Sequence, residues 1–138
     1  MTKAEKRVSF AKEVLKQFEL GNFISMRQVY CDAFNGTCDV CALGALAVAC
    51  CGPRDYMNSK QVVDCLKPNF VASQIELIES AFEITDGSFV RTNNDEVCIS
   101  KPSQRVLAAN KYKSTNSRKE RLKKIMRNII RNKGMFVV

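Results

Sequence analysis

The chain has 138 residues and a mass of 15.5 kDa, the size of one compact domain, with 46% apolar residues, 26% charged residues and a net charge of +8. Six glycines and three prolines exclude a collagen-like, low-complexity or disordered polymer. The absence of histidine excludes Ser-His-Asp and Cys-His catalysis and every metal site that needs an imidazole.

In chain order, Thr2-Lys3-Ala4-Glu5 reads as a capping box, with Val8, Ala11, Leu15 and Phe18 at helical spacing and Gly21 as the stop. This charged N-terminus lacks the apolar core of a signal peptide. The longest apolar stretch, residues 40–52, falls short of the roughly 18 residues of a membrane span. The expectation is an intracellular protein with no membrane partner. Residues 23–31 alternate partly and predict a strand, and Asn35-Gly36 is a hairpin-type turn signal. Residues 39–52 (DVCALGALAVACCG) predict a helix capped by Asp39, apolar all round and so buried on nearly all sides. A shorter helix is predicted from Ser59 to Leu66, stopped by Pro68. Ser73-Gln74-Ile75-Glu76 repeats the capping box before Ile75, Leu77, Ile78, Ala81 and Phe82, with a turn at Asp86-Gly87. Residues 88–91 and 96–99 flank Asn93-Asn94-Asp95 as a second small hairpin. Residues 101–116 show little periodicity and read as a basic loop. Ser117-Arg118-Lys119-Glu120 opens a last helix, closed by Gly134. The expected fold is one α-rich α+β domain over residues 1–138. Four to five helices surround a buried small-residue helix, with one or two short β-hairpins and a basic C-terminal loop and helix at 101–133.

Seven cysteines without an export signal read as thiols, most of them filling a small-residue core. Cys38-Asp39-Val40-Cys41, with Cys31 and Cys50-Cys51 nearby, suggests zinc, but a helix separates Cys41 from Cys50 by about 13 Å at 1.5 Å per residue. No metal or other cofactor is therefore expected. A redox role for Cys38, just ahead of a helix N-terminus, is opposed by the adjacent Asp39.

Charge is unevenly placed. Residues 101–133 carry twelve Lys and Arg against one acid, Glu120, while residues 1–100 carry ten against thirteen acids. Such asymmetry points to an anionic partner. In the last helix, Leu122, Ile125, Met126, Ile129 and Ile130 form an apolar stripe, with Arg121, Lys124, Arg127 and Arg131 on the opposite side. Arg118 and Lys119 occupy the first turn, where the macrodipole disfavours cations but free amides favour an anion. The expected anion-binding residues are Arg118, Lys119, Arg121, Lys124, Arg127 and Arg131; the plain alternative is a solvated amphipathic helix. Scarce aromatic residues nearby, Tyr112 and Phe136, argue against a general single-strand platform.

C-A-L-G-A-L (residues 41–46), I-E-S-A-F-E (78–83) and R-L-K-K-I-M-R-N-I-I-R-N-K-G-M-F-V (121–137) resemble, in this order, segments of a family of small phage and prophage proteins without an established activity. The resemblance implies an accessory protein made in the cytoplasm of an infected bacterium. The leading expectation is a non-catalytic phage-type accessory protein that binds an anionic ligand, nucleotide or nucleic acid, and interferes with host defence. The alternative is an inhibitor or adaptor that sets its basic helix against an acidic host protein. An enzyme ranks last. It would need Glu79, Glu83, Asp86, Asp95 or Cys38, and Glu76, Glu79 and Glu83 read as one solvated helix face.

Overall fold

The computed structural model describes residues 1–25, 31–34, 37–52, 54, 56–84 and 100–138, with backbone alone at 24–25, 31–34 and 37–39. The fold is helix-rich: α1 (Lys3–Glu19), α2 (Ala42–Cys51), α3 (Ser59–Leu66), α4 (Ala72–Glu83), α5 (Pro102–Tyr112) and α6 (Arg118–Arg131). Four short strands, β1 (Phe23–Ser25), β2 (Cys31–Phe34), β3 (Thr37–Val40) and β4 (Tyr56–Met57), form a sheet in the order β1-β3-β2-β4. β1 runs parallel to β3, while β2 is antiparallel to both β3 and β4. The strand read over residues 23–31 falls partly on 26–30, the Asn-Gly turn on 35–36 and the second hairpin on 88–99; all of these lie outside the described residues.

Local chemistry sets the helix starts. Glu5 N–H donates to Thr2 Oγ1 at 3.1 Å and Thr2 N–H donates to Glu5 Oε1 at 3.0 Å; hydrogen bonding to the Thr2 backbone, and then to its side chain, holds the Glu5 carboxyl below its ordinary range. Asn58 and Gln61 do the same for α3 at 2.9 Å each way. Two starts differ from expectation. Asp39 does not cap α2: it lies in β3, paired with Asp32 of β2 and Ile24 of β1. The cap is Cys41, whose Sγ accepts the Gly44 N–H at 3.4 Å. Cys38 accordingly sits in a strand, three residues ahead of the cap, and not at a helix N-terminus. Helix α4 begins before Ser73, at Ala72, with Val71 as a cap that makes no side-chain bond. The end of α4 is Ile84 in the left-handed region, φ 57°, and the Asp86-Gly87 turn lies outside the described residues.

Every residue from Ala42 to Val48 is buried, so α2 packs along its whole circumference, against α1, α3 and α4 among the helices. The segment expected to be a basic loop is helical instead. Pro102 occupies the first turn of α5, and Arg105, Ala108, Ala109 and Tyr112 form a buried stripe at three-and-four spacing. Counting arginine as polar hides that stripe, although its stem is apolar and packs as such.

The C-terminal tail is pinned by side-chain amides that imitate backbone pairing. Gln74 on α4 donates to Phe136 O at 3.0 Å and accepts from Phe136 N at 2.7 Å. Asn128 on α6 donates to Val137 O at 2.7 Å and accepts from Val137 N at 2.9 Å. Gly134 turns the chain at φ 97°, and a Cβ there would lie 2.6 Å from Ala4 O, so only glycine fits. Arg7 clamps this turn by donating to Gly134 O and Asn69 O, each at 2.7 Å.

Candidate anion-binding cleft

Helix α6 starts at Ser117, whose Oγ accepts the Glu120 N–H at 3.3 Å. Its apolar stripe docks as expected: Leu122, Ile125, Met126 and Ile129 are buried and Ile130 is half-buried, against α1 and α4. Docking through that stripe leaves Lys124, Arg127 and Arg131 exposed. They face the last turn of α5 across a cleft of about 260 Å³, lined by Lys111, Tyr112, Thr115, Lys124, Arg127 and Arg131. Four cations and no carboxylate line it, and among the described residues none of the four is ion-paired.

Lys124 Nζ donates to Thr115 Oγ1 at 3.0 Å, which holds the ammonium on the wall of the cleft. The floor is Tyr112. Its ring packs on Phe136 at 5.8 Å, and its hydroxyl accepts from Asn128 Nδ2 at 3.4 Å. Burial pushes the phenol above its ordinary range, opposed by the Asn128 bond and by the charge of Arg131. The phenol therefore stays neutral and leaves the cationic field uncancelled.

The six expected anion-binding residues divide. Lys124, Arg127 and Arg131 come together in the cleft. Arg118 and Lys119 are exposed on the first turn of α6 but do not line it. Arg121 departs from expectation: only 3% exposed, it donates to Phe82 O at 2.7 Å and to Thr115 O at 2.8 Å, with its guanidinium 5.4 Å from the Phe82 ring centre. The C-terminal carbonyls of α4 lack intrahelical partners and carry negative partial charge, and Arg121 is the cation long enough to reach them. Lys111 and Tyr112 were missed because residues 101–116 read as a loop; the stripe at 105, 108, 109 and 112 was the signal available.

A second polar cluster lies inside the protein. Glu76, Glu79 and Glu83 are all buried, which overturns their reading as a solvated face. Glu76 Oε1 accepts from Ser100 N at 2.6 Å and Ser100 Oγ at 2.5 Å, and the Ser100 carbonyl accepts in turn from Arg105 Nη1. Glu79 Oε2 has no hydrogen-bond partner among the described residues. Burial, reinforced by Glu83, pushes the Glu79 carboxyl up to about 8, so it is largely protonated at neutral pH. Burial and the charges of Glu79 and Glu83 also hold the Cys41 thiol well above its ordinary range, against the opposing Gly44 and Leu43 amides. Cys41 is therefore a poor nucleophile. Asp86 and Asp95, the other candidate acids, lie outside the described residues. Among the described residues no group of three or more Cys, Asp and Glu could hold a metal ion. Nor is any helix there long and apolar enough to cross a membrane.

No family model, curated protein or solved structure matches this chain.

Proposed function

We propose that this chain is a non-catalytic binding protein for a phosphate-bearing ligand, seated in the cleft between α5 and α6. The observation that carries the reading is the wall itself: Lys111, Lys124, Arg127 and Arg131 converge on one concavity without a carboxylate. Arginine forks suit phosphate oxygens bidentately, and a lysine adds a point charge. At about 260 Å³ the cleft lies below the roughly 300–1,000 Å³ that encloses a whole small ligand, so it suits one phosphate of a longer chain. Tyr112 is buried beneath the cations, which leaves no ring for base stacking and favours backbone contact over base readout. A nucleic-acid backbone is thus the best-supported ligand. Together with the resemblance to small phage proteins, this describes an accessory factor that occupies nucleic acid in an infected bacterium.

The test is binding of a short duplex, a short single strand and a nucleotide panel at two salt concentrations. Nucleic-acid affinity is expected to fall steeply with salt, through counterion release. Replacing Lys124, Arg127 and Arg131 with glutamine is expected to lower that salt slope by about one unit per lost phosphate contact. Arg118→Gln, outside the cleft, is expected to leave affinity within about twofold of wild type. Failure of all three ligand classes to bind overturns the reading, as does binding that the triple substitution leaves intact.

A further inference from the structure

Three thiols meet at one edge of the molecule, away from the cleft. Cys50 and Cys51 are the last two residues of α2, and Cys65 is the penultimate residue of α3. The Cys51 and Cys65 side chains are neighbours close enough to interact, and Cys50 lies within electrostatic reach of both. Cys51 is exposed, whereas Cys50 and Cys65 are half-buried. The two helices pack directly on each other, which places the end of α2 beside α3. This arrangement differs from that of Cys41, which is completely buried and spends its sulfur on the cap of α2.

We propose that Cys51 and Cys65 form an oxidisable dithiol, a modification site at which a disulfide joins the end of α2 to α3. Cys51 is the sulfur that a soluble oxidant reaches. The surroundings divide the roles further: burial pushes the Cys65 thiol up to about 11 and the Cys50 thiol up to about 12, so both hold their protons. Arg54 beside Cys65 favours its thiolate, while Asp64 opposes it. With a peroxide as oxidant, the Cys51 thiolate attacks one oxygen. An S–O bond forms, the O–O bond breaks and the leaving hydroxide takes a proton to become water. Cys65 then attacks the Cys51 sulfur; the S–S bond forms, the S–O bond breaks and a second water leaves. Two thiols have lost two protons and two electrons, and one peroxide has become two waters. The cleft plays no part, since no cysteine lines it.

The experiment treats the full-length protein with hydrogen peroxide, alkylates the remaining thiols, and maps the product by intact mass and by peptide. The expected product has lost about 2 Da, contains a Cys51–Cys65 linked peptide, melts at a higher temperature and reverts with dithiothreitol. Cys51→Ser is expected to abolish the linkage. Cys65→Ser is expected to leave a sulfenic acid on Cys51 that dimedone traps, and Cys41→Ser is expected to change neither outcome. A disulfide mapped to any other pair, a disulfide between two copies of the chain, or overoxidation of Cys51 with Cys65 still a thiol each overturns the proposal.

Discussion

Helices α4 and α6 each carry three like charges at identical spacing, Glu76, Glu79 and Glu83 on one and Lys124, Arg127 and Arg131 on the other. Their fates are opposite. The acidic row is buried and the basic row is exposed. The difference follows from position: α4 is packed by α2, α5 and α6, whereas α6 rests on α1 and α4 and leaves its outer side free. Charge periodicity reports that a helix has a polar face. It does not report whether that face meets water, because the answer belongs to the neighbours. In α4 the neighbours supply compensation, through Ser100 for Glu76 and through the proton that Glu79 retains. In α6 no carboxylate among the described residues neutralises Lys124, Arg127 and Arg131, which is the condition under which an external anion gains most from binding there.

The contrast breaks most sharply at Arg121, one turn from the exposed row yet committed to the end of α4. Arg121→Ala leaves the Phe82 and Thr115 carbonyls without their donor and is expected to cost about 3 kcal/mol in urea denaturation. Arg127→Ala is expected to stay within about 0.5 kcal/mol of wild type, because its side chain is exposed. Equal costs at the two positions would remove burial as the distinction between the rows.

On the acidic side, Glu76→Ala takes the acceptor from both the Ser100 N–H and the Ser100 hydroxyl. The expected loss is about 2 kcal/mol, read from the same denaturation series. An unchanged midpoint would mean that Ser100 finds water and that the row is not sealed.

Glu79 sharpens the comparison through pH. Its carboxyl is raised in the folded state, so between about 4.5 and about 8 the folded protein binds a proton that the unfolded chain releases. That contribution to stability is complete below about pH 4.5 and is lost as pH rises through about 8, with a slope of at most about 1.4 kcal/mol per pH unit. Glu79→Gln carries no titrating proton and is expected to flatten this slope, leaving the variant more stable than wild type at pH 9. A wild-type profile already flat between pH 6 and 9 would show that Glu79 is ionised inside the fold.

Much of the local structure was legible because its causes are local. The Thr2–Glu5 box, the Ser59–Leu66 helix, the apolar stripe of α6 and Gly134 as its stop all depend on residues within a few positions of each other. The same holds for half of the cleft, since Lys124, Arg127 and Arg131 share a helix face by spacing alone. Lys111 and Tyr112 complete it from α5, whose helical stripe begins with an arginine that reads as polar. The caps of α2 and α4 were misread for a related reason. Asp39 is taken by the sheet, and Glu76, the expected box partner of Ser73, is taken by Ser100 twenty-four residues later.

Sequence by itself determined that this is a helix-rich chain with a basic C-terminal quarter, because propensity, capping and charge are properties of neighbouring residues. Tertiary structure alone decided which charges are inside. It buried Glu76, Glu79, Glu83 and Arg121, left Lys124, Arg127 and Arg131 in water, and brought Cys51 against Cys65. Solvation of a side chain depends on what packs over it, and those partners lie far along the chain, 39 residues away for Arg121 and Phe82 and 62 for Gln74 and Phe136.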